Sequence, residues 1–298
     1  MKNAIKYYYN INPSDIHQVN KKIKFNINNR RYILYPTTKN KEELIDVYKL
    51  HLYILSLGKY CHKIILNKNN EIITLINNIK YVLLEVNNFN GFITLQDILY
   101  YLNTRIEKNK YPSIQRESWK KLWINIIEYM EYQMNQFANK YKLLSESYNY
   151  YIGIIENCIS LVDEYMDQDQ YLTINHNRLH IKTTLDEFYN PLEFILDRRV
   201  RDLGEYTKKN TNENIKIIEQ ILNSKILNNY EIQLLFIRIL YPSTFIDIYD
   251  EIINEKKNEN EIKKYLSKVE YNENEIKKIY HYIRSISKLP EIEWLNKN

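Results

Sequence analysis

The side chains able to do chemistry crowd into one stretch, from Tyr171 to Glu205. His176-Asn177-Arg178-Leu179-His180 sets two imidazoles four residues apart, Thr183 follows, Glu193 lies in Pro191-Leu192-Glu193-Phe194, and Asp197 precedes Asp202 by five. A histidine pair can hold a metal, but no Cys or acidic cluster accompanies this one. Loop histidines more often bond to backbone. Asp197 and Asp202 offer a general acid and base. The structural alternative is stronger: Asp202 followed by Glu205 fits a capping box at a helix start, and Arg198 or Arg201 can pair with nearby acids. Cys158 has no local partner to lower its pKa, so core packing is expected.

The elements that carry these residues belong to a chain of 298 residues with 4 Gly, 6 Pro and 29 Tyr. That composition excludes collagen-like, Gly/Ser-linker and Pro-rich classes, and a 44% hydrophobic content supports a sizeable core. Lys+Arg 42 against Asp+Glu 37 gives a formal charge of +5, but acids intersperse the bases, as in Lys256-Lys257-Asn258-Glu259. No single-sign stripe emerges, so no nucleic-acid partner is expected. The Asn/Ile/Lys/Tyr bias matches AT-rich coding and discounts Tyr7-Tyr8-Tyr9 or Tyr148, Tyr150 and Tyr151 as cross-linking sites. Cys61 and Cys158 are expected to be buried thiols, with no disulfide framework. No leader pattern is read at Met1 to Asn12 and no later stretch is read as bilayer-spanning, so synthesis and retention on the cytoplasmic side are expected.

Residues 1–90 read as strands around one helix. Ile23, Phe25 and Ile27 alternate with polar neighbours, and Arg31 to Tyr35 resumes after Asn28-Asn29, predicting a hairpin over 22–36 that Pro36 ends. Asn40 and Glu43 form a capping box ahead of Leu44, Val47, Tyr48, His51 and Leu55, and Gly58 stops that helix. Two more strands, Glu71 to Ile76 and Lys80 to Val86, flank a second Asn-Asn turn. Asn87 to Gly91 reads as a hinge, dividing 1–90 from 91–298. Beyond it the pattern is helical: one stripe runs through Trp119, Leu122, Trp123, Ile126, Ile127, Met130 and Met134, another through Tyr151, Ile152, Ile155, Ile159 and Val162. Periodicity fails from Tyr171 to Asp197, where Leu179-His180-Ile181 is β-like. Helices resume at Asp202, and the last two, near 260–268 and 273–288, are charged on one face.

This order predicts an α+β, bilobal protein-kinase-like fold: a small antiparallel-sheet N-lobe with one helix, then a larger helical C-lobe. Phosphoryl transfer on such a fold depends on positioning and charge neutralisation. The loop that should cover phosphates, Asn12 to Lys21, has no glycine. Leu34 or Tyr35 occupies the third-strand lysine position. His176 to His180 resembles the phosphotransferase His-Gly-Asp-Leu-His signature, with Arg178 in place of the aspartate base, which arginine cannot replace. Thr183 stands for the magnesium-binding asparagine, and Glu193 is the candidate second metal acid, a poor site by itself. No catalytic residue, cofactor or metal is therefore expected.

A family resemblance joins these observations. Tyr150-Tyr151-Ile152-Gly153-Ile154-Ile155-Glu156-Asn157-Cys158-Ile159 resembles the Tyr-Tyr-x-Gly-x-x-Glu-Asn-x-Ile segment of YutH-type spore coat proteins, grouped with CotS-like coat proteins in the kinase-like superfamily. Asp197 to Tyr206 is similar to that family's Asp-His-Pro-Ser-Arg-Asp-Leu-Ala-Glu-Trp, with Arg198-Arg199-Val200 replacing His-Pro-Ser. Arg238 to Pro242 followed by Phe245-Ile246-Asp247 is a third block, and Trp119 to Glu131 a weaker fourth. The resemblance implies a structural or assembly protein of the endospore, made in the mother-cell cytoplasm, located at the spore coat surface and partnered by other coat proteins. Two alternatives stand beside it. One is an active small-molecule phosphotransferase with Glu193 or Asp197 on the metal and His176 as base. The other is a pseudokinase scaffold outside sporulation.

Overall fold

Asparagine pairs set the register of the larger sheet. Asn28 (φ 48°) and Asn29 (φ 62°), then Asn77 (φ 49°) and Asn78 (φ 61°), adopt the left-handed conformation that two-residue hairpins require. In this computed structural model the described residues are 1–13, 15–19, 21–87, 89, 91–162, 171–180 and 182–296. In chain order the first elements are α1 (Lys2–Tyr9), β1 (Ile16–Val19), β2 (Lys22–Ile27), β3 (Arg30–Pro36), α2 (Lys41–Ser56), β4 (Lys63–Ile65), β5 (Thr74–Ile76), β6 (Ile79–Val86), α3 (Leu95–Leu102) and β7 (Ile106–Glu107). Then come α4 (Trp119–Phe137), α5 (Lys142–Leu161), β8 (Tyr171–His176), α6 (Leu185–Phe188) and β9 (Phe194–Asp197). The chain finishes with α7 (Arg201–Lys209), α8 (Asn214–Asn223), α9 (Asn229–Leu240), α10 (Ser243–Ile253), α11 (Asn260–Leu266), α12 (Val269–Ile286) and α13 (Glu293–Asn296).

Contacts divide the chain into two units, Met1–Gln115 with Tyr171–Asp197, and Arg116–Gln170 with Arg198–Asn298. The division differs from the break expected at 90–91, because α3 packs on β8 and β8 pairs with β7 and β9. Hydrogen bonds from Leu185 N–H to the Gly91 carbonyl and from Ile93 N–H to the Thr183 carbonyl tie the expected hinge to the polar loop.

In the first unit the antiparallel sheet runs β1-β2-β3-β6-β4, with β5 also on β6. Alternation gives it two faces. Ile23, Phe25, Tyr32, Leu34, Tyr81 and Leu83 turn to one side and bury Ile5 of α1. Full burial of such a side chain contributes about 1.5–3 kcal/mol. That helix was not foreseen, since residues 1–90 read as strands around one helix only. Lys22, Lys24, Arg31, Ile33 and Tyr35 occupy the other face. Helix α2 begins at the Asn40–Glu43 capping box as expected, with both reciprocal bonds made at 2.8 and 2.9 Å.

The second unit is helical throughout its named elements. Trp119 and Trp123 of α4 are buried and stacked, and Trp123 lies on Tyr241 with ring centroids 4.3 Å apart. Asn229–Ile253 corrects one expectation: by length and composition it could cross a membrane. It is broken around Pro242 into α9 and α10, and 61% of its most apolar window is buried.

Candidate functional site

The β8–β9 hairpin builds the loop that should do chemistry. Thr173 faces Asp197 and His176 faces Phe194 in register, and Asn177 N–H donates to the Glu193 carbonyl at 2.9 Å. His176 is buried; its Nε2–H donates to the Phe188 carbonyl at 2.8 Å and its ring stacks on Phe188 at 4.2 Å. His180 is exposed, as is Arg178. His176 thus has the backbone role expected of a loop histidine. Residues 179–180 form no strand, unlike the β-like reading, and Ile181 lies outside the described residues.

Thr183 is committed locally: its Oγ1 accepts from His180 N–H at 2.8 Å. Glu193 turns to the larger sheet, where Tyr35 Oη donates to it at 3.4 Å. Asp197 is buried at the far end of β9, roughly 13 Å of extended chain away from Glu193. Among the described residues no three His, Cys, Asp or Glu side chains gather to hold a metal ion. A magnesium ion in phosphoryl transfer needs a catalytic-loop amide and an acid together, and Thr183 with Glu193, the pair expected at those positions, does not supply that set.

The cation-bearing face of the sheet carries a network that sequence reasoning missed. Of the two candidates for the third-strand position, Leu34 lies in the α1-side core and Tyr35 faces the other way. Lys22 of β2, beside Tyr35 across the hairpin, holds its ammonium 4.5 Å from the Tyr35 ring centroid and 3.7 Å from Glu187. Burial lowers the Lys22 pKa, but the Tyr35 hydroxyl and the Glu187 and Glu193 carboxylates outweigh it and raise the value overall. Burial also raises the Tyr35 pKa. Arg31 Nη2 lies 2.8 Å from Asp186 Oδ2. The cross-strand register was legible from the Asn28-Asn29 turn; the acids, more than 150 residues on, were not.

Two histidines pin the segment bearing those acids. His62 Nε2–H donates to the Asp186 carbonyl at 2.8 Å, while the Tyr60 hydroxyl donates to its Nδ1 at 2.8 Å. Burial pushes the His62 pKa down to about 4, so the ring is neutral. His176 holds Phe188 two residues on. Glu187 also caps α6, accepting from Thr184 N–H at 3.1 Å.

In the second unit, Glu205 overturns the capping-box expectation. Helix α7 begins after Val200, which makes no side-chain cap bond, and Glu205 instead enters a buried ion cluster. Its carboxylate meets Lys208 at 2.7 Å, Arg238 at 2.8 Å and Lys209 at 3.3 Å, and accepts from Ser243 Oγ at 3.1 Å. Burial raises its pKa, but the three cations together hold it well below the usual carboxylate range. Lys208 yields instead, its pKa lowered to about 8 by burial against the pull of Glu205. Asp202 pairs with Arg201 at 3.1 Å, in line with the expected Arg–acid pairing. Both cysteines are free and buried, as expected; burial pushes the Cys61 thiol up to about 12 and raises Cys158 further.

Comparison with known proteins agrees with this architecture. Several solved structures are similar across nearly the whole chain. An aminoglycoside phosphotransferase from Alicyclobacillus acidocaldarius has a TM-score of 0.67 at 9% identity, covering 93% of this chain and 95% of its own. A spectinomycin phosphotransferase in complex with ADP and spectinomycin has 0.60 at 12%, covering 86% and 88%. The amicoumacin kinase hAmiN, in complex with AMP-PNP, Ca2+ and amicoumacin, has 0.58 at 9%, covering 93% and 92%. At these identities the likeness establishes the α+β kinase-like fold alone. No curated protein matches. The family model described as "Spore coat putative kinase YutH" matches residues 2–283. The chain therefore belongs to the YutH family of kinase-like spore coat proteins.

Proposed function

We propose that this protein is a catalytically degenerate member of its fold and serves as a structural or assembly component of the bacterial spore coat. One observation carries the reading: Arg178 stands where the proton-accepting aspartate is needed, in a loop whose metal-binding position, Thr183, has its hydroxyl bonded to His180 N–H. An arginine cannot take a proton from an attacking hydroxyl. Family membership supports the coat assignment. On this reading the protein is made in the mother-cell cytoplasm, reaches the coat surface and binds other coat proteins there.

The test is nucleotide binding and turnover. Occupancy at a hundredfold excess over Kd stabilises a native protein by about 2.7 kcal/mol. Differential scanning fluorimetry with ATP and magnesium is expected to leave Tm unchanged, and purified protein is expected to release no ADP. ATP turnover that Glu193→Gln or Asp197→Asn abolishes would instead establish an active phosphotransferase with a rearranged site.

A further inference from the structure

We infer that residues 184–193 are a built-in plug, an intrasteric occupant of a latent polyphosphate-binding face formed by Lys22, Lys24 and Arg31. The inference deepens the degenerate reading and rests on it. Alternation places all three cations on one face of the β2–β3 hairpin: Lys22 beside Tyr35, Lys24 opposite Ile33, and Arg31 at the far end of β3. Arg31 and Tyr35 are separated by four residues, roughly 13 Å of strand. A row of that length suits a chain of phosphates better than a single ion. Lys22 supplies, from the neighbouring strand, the ammonium that β3 lacks.

The chain's own carboxylates already sit on this row. Asp186 meets Arg31 at 2.8 Å, Glu187 lies 3.7 Å from Lys22, and Glu193 accepts from Tyr35. Asp186 and Glu187 stand to Arg31 and Lys22 as phosphate oxygens would. The plug is anchored by backbone, through the Asp186 carbonyl to His62, the Tyr189 carbonyl to His62 N–H, and Leu185 N–H to Gly91. Its polar fit is incomplete. Asp186 Oδ1 and Asn190 Nδ2 are buried with no hydrogen-bond partner, and each such orphan forfeits its solvation without compensation. A docked segment carrying two orphaned polar groups is held less firmly than its ion pairs alone would hold it.

The experiment measures inorganic tripolyphosphate binding by calorimetry on the full chain, without magnesium. Asp186→Asn with Glu187→Gln and Glu193→Gln keeps the shape of the plug and removes its charge. This variant is expected to bind at least about tenfold more tightly than wild type. Adding Lys22→Met should cancel the gain. Equal affinity in wild type and variant, or no binding in a variant whose circular dichroism is native, overturns the plug. If the triple variant does not fold, Glu187→Gln alone is decisive. Glu187 is 45% exposed and its amide oxygen can still cap α6. A gain of two- to threefold is expected, on the order of the worth of one exposed ion pair, and no gain overturns the proposal. ATP turnover by wild type would sink the degenerate reading. A silent wild type with no gain in the variants sinks only the plug.

Discussion

Two ion networks, one in each unit, use the same side-chain types to opposite ends. In the second unit, Glu205 is surrounded by three cations and a serine hydroxyl, with its side chain 5% exposed. In the first, Glu187 holds a single lysine at 3.7 Å with 45% of its side chain exposed, and the adjacent Asp186 leaves one oxygen unbonded. Buried charges of the first kind are strongly destabilising to break, whereas exposed pairs contribute little. The Glu205 cluster is an anchor, and the Glu187 contact is a latch.

The comparison breaks most sharply at Glu205. Glu205→Gln leaves buried Arg238 and the largely covered Lys208 and Lys209 around a neutral amide, and a loss of about 3–5 kcal/mol is expected in urea unfolding. A smaller loss would mean that water reaches the cluster.

An intermediate effect is expected from pH. Burial lowers both His51 and His62 to about 4, from the ordinary 6.5. Their unfolded forms bind protons first as pH falls, so the folded state is favoured fully above pH 6.5 and loses stability progressively down to about pH 4. The limit is about 3 kcal/mol for each ring. His62→Gln, followed by chemical denaturation between pH 7 and 4, is expected to remove about half of that slope. An unchanged slope would show that His62 is not held neutral.

The smallest effect belongs to the latch. Glu187→Gln should change stability by less than about 1 kcal/mol by the same denaturation assay. A larger loss would make it an anchor too and erase the distinction.

Local features of the fold were legible because short-range chemistry decides them. Asn40 and Glu43 cap α2 from three residues apart, and Asn28-Asn29 turns the hairpin without help from elsewhere. Glu205 was misread for the complementary reason. Its spacing from Asp202 satisfies a local pattern, but Arg238, 33 residues later, competes for the same carboxylate and wins. Helix α1 escaped notice because its only fully buried side chain is Ile5, too little to generate a stripe. At the candidate site, the substitutions Arg178 and Thr183 could be read directly. The plug could not, since Lys22 and Glu187 meet only after β8 and β9 have brought a distant loop beneath β2.

The left-handed turns have a consequence for how this sequence tolerates its own alphabet. Seven of the ten non-glycine residues with positive φ among those described are asparagine, in a chain with four glycines. Asparagine is one of the few L-residues for which that torsion is inexpensive. A coding bias that starves a protein of glycine can therefore rewrite its corners in amides and leave the scaffold intact.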